Sequence, residues 1–347
     1  MVRIGCVFEW NNNIRYRVLN PMKALERRGH EVVFGRTRHD APLDVAQLRR
    51  CDVIHAYRLL ERDDWKAVEG LVRRGAALVW DTDDNLSDVP READYYARSG
   101  GLAALRDTHR ITVAYARAAH LVTVSTDRLA ENYRRAGVER VDVLGNYLAR
   151  DEASIRGRKH DGLTVGWIAG TEHAAELSRV PIVDALERLA AARSEVNIES
   201  IGVNLGLTTP KYRHIPSAPM DRFLEMARSW DIGLAVLADI PFNRSRSDVK
   251  VKEYASLGMP WLASPIGPYA GLGEREGGRL VEDADWGQAL DRLAGSRFDR
   301  IKLSRRGKAW AKSQVVDARV HLWEAALEEA IERADAARAR GRSVTRQ

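Results

Sequence analysis

The sequence lacks most features that would place the protein in a membrane or an oxidising compartment. Only two cysteines, Cys6 and Cys51, occur in 347 residues. They are too few for a disulfide framework, and neither belongs to a Cys-x-x-Cys metal motif. The longest apolar runs, such as Ile232–Ala238 and Pro260–Ala263, are far shorter than the roughly 18 residues of a membrane span. No charged-then-apolar signal segment opens the chain. We therefore expect a soluble, cytoplasmic protein with two buried, unreactive thiols.

Several catalytic signatures are missing as well. The dinucleotide fingerprint Gly-x-Gly-x-x-Gly follows neither the first predicted strand, where Trp10–Asn13 stands, nor the strand Leu163–Ile168. No Gly-x-Ser-x-Gly elbow or Cys/His nucleophile arrangement occurs, and the histidines show no paired metal spacing. A standard NAD site and hydrolase chemistry are therefore disfavoured, and no metal site is predicted.

The net charge of +6 is unevenly distributed along the chain. The segment 333–347 contains five arginines and one aspartate and so carries +4. The rest of the chain carries only +2, which does not indicate a broad basic face. The basic tail remains a candidate for peripheral contact with a nucleic acid or an anionic membrane.

Short apolar runs alternate with helical patterns through most of the sequence. The first such unit is Val2–Phe8, Pro21–Arg28 and Glu31–Phe34, which predicts strand, helix and strand. Repeated alternation of this kind predicts parallel sheets with helices on both faces. The polar segment Ala149–Asp161 interrupts the pattern before a second series begins at Leu163, so we predict a linker there.

The chain is long enough for two cores, with 45% hydrophobic and 30% charged residues. We therefore predict an α/β protein with two Rossmann-like domains, 1–155 and 156–315. In the segment 316–347, Trp323 and Leu327 lie four residues apart, which predicts a helix with one apolar stripe. We expect this helix to pack back toward the first domain, ahead of the basic tail.

One candidate phosphate-binding loop follows the strand Leu163–Ile168. In parallel sheets, ligands bind at the carboxyl ends of strands, where helix N-termini attract phosphate. Gly170 permits close approach of the backbone, and the Thr171 hydroxyl can donate a hydrogen bond. An ordinary strand-to-helix turn explains the same residues, so this loop alone leaves both interpretations open.

A second candidate segment runs from Pro241 to Pro260. Ser245 or Ser247 is expected to cap a helix that extends to about Leu257 and ends at Gly258. Residues three and four apart share a helix face. One face of this helix therefore presents Lys250, Glu253, Tyr254 and Leu257.

The chemistry of that face suits a nucleoside diphosphate. A cation near the helix start, Lys250, can hold a diphosphate, while Glu253 one turn later can accept hydrogen bonds from two ribose hydroxyls. Arg244 and Arg246 in the preceding loop can add phosphate contacts. The alternative is a surface helix whose Lys–Glu pair contributes a few tenths of a kcal/mol.

Taken together, these segments resemble the donor-binding region of retaining GT-B glycosyltransferases of the large family 4. The likeness extends loosely into the first half of the chain and so spans most of residues 1–310. The residues that carry it are Arg17-x-x-x-Pro21, Gly29-His30-Glu31-Val32, Gly170-Thr171-x-His173, Asp231-Ile232-Gly233-Leu234, Phe242-Asn243, Lys250-x-x-Glu253-Tyr254-Ala255, Leu257-Gly258-x-Pro260 and Ser264-x-x-Gly267-Pro268-Tyr269.

The resemblance implies a GT-B architecture, in which two Rossmann-like domains face a cleft. The first domain would bind the acceptor and the second the nucleotide sugar. Glu253 would then bind the ribose, Lys250 the diphosphate and Gly170–Thr171 the distal phosphate, with Arg244 and Tyr254 also at the donor. It further implies transfer with retention of anomeric configuration and without a metal ion.

Two departures from the family pattern concern the donor sugar and the first loop. Many members have glutamates eight positions apart, whereas Ser245 stands eight positions before Glu253. The glycine-rich first loop is also missing, and Asn11–Asn13 with Arg15 and Arg17 occupies its place.

A third candidate site is the acidic run that follows the predicted strand Ala77–Trp80. Asp81-x-Asp83 could coordinate a divalent cation with a diphosphate, as in GT-A glycosyltransferases. In the family that the chain resembles, a His-Asp pair near the reacting sugar occupies roughly the place of Asp83 and Asp84. Helix capping and loop structure are the remaining explanation. Adjacent carboxylates repel each other, so one of the two is expected to have a raised pKa.

The predicted function is therefore transfer of a hexose from a UDP- or GDP-sugar to an acceptor hydroxyl. His173 either contacts the leaving diphosphate or caps a helix. The acceptor can be a saccharide, a lipid-linked glycan, a small molecule or a hydroxylated base of DNA. The rival interpretation is a noncatalytic nucleotide-binding or nucleic-acid-binding protein with the same fold, which the missing glutamate at Ser245 favours.

Overall fold

The computed structural model describes residues 1–10, 13–36, 38, 41–152, 162–216 and 222–344, with side chains to residue 340. Asn11, Asn12, most of the predicted linker and the end of the basic tail lie outside these ranges. Two compact units are present. The first comprises Met1–Leu86, Arg106–Asn146 and the chain from Val316, and the second comprises Ser87–Leu105 and Tyr147–Val315.

Each unit contains one parallel sheet, and in the described residues each sheet has six strands. The strands are β1 (Arg3–Phe8), β2 (Glu31–Phe34), β3 (Val53–Tyr57), β4 (Ala77–Thr82), β5 (Leu121–Val124), β6 (Val141–Val143), β7 (Leu163–Ala169), β8 (Val196–Gly202), β9 (Tyr212–Ile215), β10 (Ile232–Ala235), β11 (Trp261–Ala263) and β12 (Gly278–Leu280).

Helices connect the strands. They are α1 (Asn20–Arg27), α2 (Val45–Leu48), α3 (Arg62–Arg73), α4 (Asp94–Arg98), α5 (Leu102–Ala118), α6 (Asp127–Arg135), α7 (Ala174–Leu177), α8 (Ile182–Ala192), α9 (Phe223–Ala227), α10 (Pro241–Arg244), α11 (Val249–Leu257), α12 (Trp286–Gly295), α13 (Arg297–Ala311) and α14 (Val320–Val344). A π-helical turn, Arg15–Leu19, precedes α1. Short 3₁₀ turns are Leu86–Asp88, Thr171–His173, Gly267–Tyr269, Glu274–Glu276, Asp283–Asp285 and Val316–Ala318.

In the first unit the strand order is β2-β1-β3-β4-β5-β6. Strands β3 and β4 are buried along their whole length, as expected for a parallel sheet covered on both faces. Their apolar side chains pack with those of α3, α5 and α6 around Trp65, Trp80 and Tyr115. Trp323 and Leu327 of α14 are each 2% exposed, as their spacing predicts. Cys6 and Cys51 are both buried, also as predicted.

In the second unit the strand order is β12-β11-β10-β7-β8-β9, which is the Rossmann order. The chain runs outward from β7 in one direction through β8 and β9, and in the other through β10, β11 and β12. The order therefore reverses between β7 and β10, and ligands bind open α/β sheets at the carboxyl ends of the strands at such a switch point. The predicted α/β class is confirmed.

Some predicted elements differ from the structure. The helix expected to begin at Ser245 or Ser247 is two helices, α10 and α11. The N-cap of α11 is Asp248, without a side-chain cap, and Ser245 instead ends α10. Gly258 does end α11, in the left-handed conformation with φ of 71°, which a glycine adopts without steric cost.

The predicted first domain of 1–155 also differs from the observed unit. Ser87–Leu105 and the chain from Tyr147 belong to the second unit. Ser87–Leu105 belongs to the second unit because Val89, Ala93 and Leu105 form one apolar cluster with Phe242. No helix in the described part of the chain is long and apolar enough to span a membrane.

Candidate functional site

Three of the predicted donor residues of the second unit lie together beyond the end of β7. The loop after β7 contributes Gly170 and Thr171, and the segment between α10 and α11 contributes Arg246. These two loops are joined by an ion pair, because Arg246 Nη2 donates to Glu172 Oε1 at 2.9 Å. The switch point therefore holds a cation and a glycine loop side by side.

The carboxylate of Glu172 lies directly over Gly170. A Cβ at Gly170 would be 2.2 Å from Glu172 Oε2, so a larger residue there would displace the Glu172 carboxylate. Burial raises the pKa of Glu172, but Arg246 and His173 outweigh it and lower that pKa to about 2. The loop and Arg246 thus favour a negatively charged group at this position, which is what a phosphate-binding loop requires.

His173 lies behind this loop and packs edge-on against the Trp167 ring. Its Nδ1 is 3.3 Å from Glu176 Oε1, and the same oxygen accepts a hydrogen bond from Asn243 Nδ2 at 2.9 Å. Glu176 is 1% exposed, so a buried carboxylate lies beside the imidazole. Sequence reasoning missed Glu176 and the role of Asn243, although the three-residue step from His173 to Glu176 on a helix start was a usable signal.

Lys250 and Glu253 form an ion pair at the start of α11. Lys250 Nζ is 2.7 Å from Glu253 Oε2, and the side chains are 20% and 1% exposed. The Lys250 ammonium also lies 5.2 Å from the centre of the Phe223 ring. The structure confirms that the two residues share a helix face. Glu253 is buried and Lys250 is partly buried, so the pair is not the solvated surface pair of the alternative interpretation.

Two other predicted donor residues have different surroundings. Tyr254 is fully buried; its hydroxyl donates to Leu234 O at 2.9 Å and accepts from Ile168 N at 3.1 Å. It therefore positions α11 against β7 and β10. Arg244 instead forms a two-pronged pair with Asp239 at 2.6 and 2.8 Å, with both side chains about half exposed. Of the two arginines in this segment, Arg246 is the one at the glycine loop.

In the first unit, Asp83 and Asp84 follow β4, and each has a partner from the end of β3. Tyr57 donates its hydroxyl to Asp83 Oδ1 at 2.8 Å, and Arg58 Nη1 donates to Asp84 Oδ2 at 2.7 Å. Arg58 has a φ of 47°, a conformation that is uncommon for a residue with a side chain. Its N–H donates to Asp81 O at 2.9 Å, so strand pairing holds the turn in place.

Of the two adjacent carboxyls, Asp83 is the one with a raised pKa. Burial and the neighbouring Asp84 raise the pKa of Asp83 to about 6, which confirms the expectation that one of the two adjacent carboxyls has a raised pKa. Asp83 is 3% exposed. A carboxyl with this pKa changes its protonation state close to neutral pH and can donate or accept a proton there.

The Asp81 side chain has a structural role, because its oxygens bind neighbouring side chains of the first unit. Its two oxygens accept from Arg17 Nε at 2.9 Å and Arg17 Nη2 at 2.5 Å, and the hydroxyl of Thr123 donates at 2.6 Å. Burial raises the pKa of Asp81, but Arg17 and His55 outweigh it and lower that pKa to about 2. The Asp81-x-Asp83 spacing therefore does not present two available carboxylates. Among the described residues, no group of three His, Cys, Asp or Glu side chains is arranged to bind a metal ion.

The raised pKa of Asp83 predicts a pH-dependent contribution to stability. Between pH 4 and 6 the folded protein keeps this proton and the unfolded chain releases it. Stability from Asp83 is therefore highest below about pH 4 and falls by about 3 kcal/mol as the pH rises through about 6. Asp83→Asn should remove this decline, as measured by urea unfolding across that range. The exposed Asp107→Asn is the control, and a decline in Asp83→Asn equal to that of the wild type would contradict the assignment.

Comparisons with known proteins identify the fold. By sequence, no family model and no characterised relative matches the chain. By structure, it is similar to HepE of Anabaena in complex with UDP and glucose, with TM-score 0.62, 14% identity and coverage of 94% of this chain and 98% of that one. Sucrose-phosphate synthase of Thermosynechococcus elongatus matches with TM-score 0.58, 13% identity and coverage of 99% and 100%. A putative UDP-N-acetylglucosamine 2-epimerase of Listeria monocytogenes matches with TM-score 0.54, 10% identity and coverage of 93% and 97%. The chain therefore has the GT-B fold.

Proposed function

We propose that the protein is a glycosyltransferase that moves a hexose-type sugar from a UDP- or GDP-sugar to an acceptor hydroxyl. The observation that supports this most directly is the anion-binding arrangement at the switch point of the second unit. Arg246 already holds a carboxylate above Gly170, and the buried Lys250–Glu253 pair begins the next helix. The fold alone is shared by proteins with several activities, so the proposal depends on these residues.

In this proposal the second unit binds the nucleotide sugar through one carboxylate and two cations. Glu253 accepts hydrogen bonds from the ribose hydroxyls, while Lys250 and Arg246 bind the diphosphate. For Arg246, binding requires that a phosphate oxygen replace the Glu172 carboxylate. When the bond between C1 of the sugar and the phosphate oxygen breaks, the electron pair goes to the departing diphosphate. Cations that hold this group more strongly in the transition state than in the ground state accelerate the step.

The other assigned residues act around the reacting sugar. We propose retention of configuration, in which the acceptor attacks from the face that the diphosphate leaves and a departing phosphate oxygen takes the acceptor proton. His173, which lies beside the Glu176 carboxylate, would donate a hydrogen bond to the leaving group. Asp83 or Asp84 would contact the donor sugar or the acceptor. Lys250 and Arg246 supply the positive charge in this scheme, so the proposed reaction uses no metal ion.

The acceptor is proposed by class only. A saccharide, a lipid-linked glycan or a small molecule is favoured, with a hydroxylated base of DNA as the alternative. A cytoplasmic location remains a prediction. The likeness to an epimerase favours one second candidate, isomerisation of a nucleotide sugar, because the same diphosphate-binding residues would serve both reactions.

A donor screen tests the proposal. The protein is incubated with a panel of UDP- and GDP-sugars, and thermal unfolding is followed together with mass spectrometry of the products. We expect one donor to stabilise the protein saturably, by about 2.7 kcal/mol at a hundred times Kd, and to be slowly hydrolysed to free sugar and nucleoside diphosphate. A product of unchanged mass that differs in chromatographic retention would show isomerisation instead. Stabilisation without turnover would favour the noncatalytic alternative, and no stabilisation by any member would overturn the proposal.

A further inference from the structure

Helix α13 presents an exposed surface that the proposed transfer reaction does not use. Phe298 is 77% exposed and Ile301 is 42% exposed, both of them large apolar side chains. Steps of four, three and four residues from Ile301 continue the same helix face, and these positions are cations. We define the α13 surface by its exposed members, which are Arg297, Phe298, Ile301, Arg305, Lys308 and Lys312.

The cations of the α13 surface are distinct from those that stabilise the fold. Lys302 and Arg306 pair with Glu274 at 3.1 and 2.7 Å, and Arg300 donates to the carbonyl of Leu293 near the end of α12 at 2.9 Å. In the ranges that the structure describes, no ion pair involves the other four cations, which are Arg297, Arg305, Lys308 and Lys312. All four side chains are exposed, and the Lys308 side chain also lies beside Gly258 at the end of α11.

Two acidic side chains beside this helix, Asp299 and Glu274, are paired with cations of the fold. Asp299 is 3.0 Å from Arg279, and Glu274 is 3.1 Å from the same guanidinium. The surface therefore combines two exposed apolar side chains with four cations and has no acidic member. This combination is unusual for a face that meets only water, because scattered exposed apolar residues ordinarily have mixed charges around them.

We propose that the α13 surface binds the headgroup region of an anionic membrane. Lipid phosphates attract the four cations, and the layer between headgroups and acyl chains removes Phe298 and Ile301 from water. Duplex nucleic acid would attract the same cations through its phosphates, but it offers no apolar layer for two neighbouring side chains. The helix would lie on the membrane surface and not cross it. This proposal goes beyond the transfer reaction and does not depend on the donor site.

Vesicle flotation with the full chain tests the proposal. Vesicles of equal parts phosphatidylcholine and phosphatidylglycerol are compared with vesicles of phosphatidylcholine alone. We expect binding only to the anionic vesicles, and weaker binding as salt is added. Phe298→Ser with Ile301→Ser should weaken binding about tenfold, and Arg305→Glu with Lys312→Glu should weaken it at least about tenfold.

Matched controls separate this surface from general effects of hydrophobicity and charge. Ile111→Ser removes an isoleucine on α5 that is also 42% exposed. Lys23→Glu with Arg50→Glu makes the same change of net charge in the first unit. Both controls should bind within about twofold of the wild type, since neither alters the α13 surface.

Three results would overturn the proposal. They are equal binding to neutral and anionic vesicles, wild-type binding by the Phe298→Ser, Ile301→Ser variant, and retention of a duplex DNA probe through Arg305 and Lys312 without vesicle binding. Donor turnover is measured in the absence of vesicles, so failure of the transferase proposal and failure of this one are distinguishable.

Discussion

Lys250→Ala is expected to lower kcat/KM for donor turnover about a hundredfold, the usual cost of removing one charge-stabilising donor from an active site. In the proposed reaction Lys250 holds the diphosphate as negative charge develops on it. The loss should therefore fall mainly on kcat, because an interaction that strengthens in the transition state accelerates the chemical step. Turnover is measured as release of nucleoside diphosphate from the donor that the screen identifies.

A structural effect of the same substitution must be separated from a chemical one. Lys250→Ala removes the Lys250 ammonium from the buried Glu253 carboxylate, which lowers the free energy of unfolding. The double variant Lys250→Ala, Glu253→Ala removes both charges and should recover most of that stability. If the pair binds the donor, activity does not recover in the double variant.

The matched control for this prediction is another lysine in a three-residue helical pair. Lys66 is 2.9 Å from Asp63 on α3, where both side chains are exposed. Lys66→Ala should leave turnover within about twofold, because exposed pairs contribute little. Recovery of turnover together with stability in the Lys250, Glu253 double variant would show that the pair is structural only.

The sequence predicts the architecture well because strands and helix ends depend on residues that are adjacent in the chain. Strands such as β3 and β4 are uninterrupted apolar runs, and Gly258 marks the end of α11 through its backbone conformation. The short strands β6, β9 and β12 carry no comparable apolar run, so the sequence does not predict them. They form because neighbouring strands supply their hydrogen-bond partners.

The candidate site could be predicted only in part. Spacing placed Lys250 and Glu253 on one face and Gly170 at the end of a strand. It could not show that Glu172 folds over Gly170 or that Arg246, and not Arg244, reaches it, since both arginines have the same chemistry and only tertiary contacts distinguish them. The place of Ser87–Leu105 in the second unit likewise depends on packing against Phe242, which no local pattern records.

The second large effect concerns Arg17, a buried charge that no pattern in the sequence predicts. Arg17→Met is expected to lower the free energy of unfolding of the first unit by about 3–5 kcal/mol. Arg17 and Asp81 are both 0% exposed, so the substitution removes the guanidinium and leaves the Asp81 carboxylate buried beside Thr123 and His55. Urea unfolding at neutral pH, followed by a probe of the first unit, measures the loss.

Two further variants test whether the buried charge is the cause. Arg17→Met with Asp81→Leu should recover most of the loss, because replacing both partners of a buried pair by apolar side chains is often close to neutral. Arg128→Met, which breaks an exposed pair with Glu131 on α6, should change stability by less than about 0.5 kcal/mol. Equal effects of Arg17→Met and Arg128→Met would contradict the prediction.

The recovered double variant also separates stability from the arrangement of the acidic site. Arg17 donates to Leu144 O and, at 3.1 Å, to Asn146 Oδ1, while Asn146 Nδ2 lies 3.4 Å from Asp83 Oδ2. Asn146 therefore links the buried Arg17 guanidinium to Asp83, the carboxyl whose pKa is raised. If Asp83 contacts the sugar or the acceptor, the double variant should regain stability without regaining full turnover. Full recovery of both would mean that Asp83 keeps its position without Arg17.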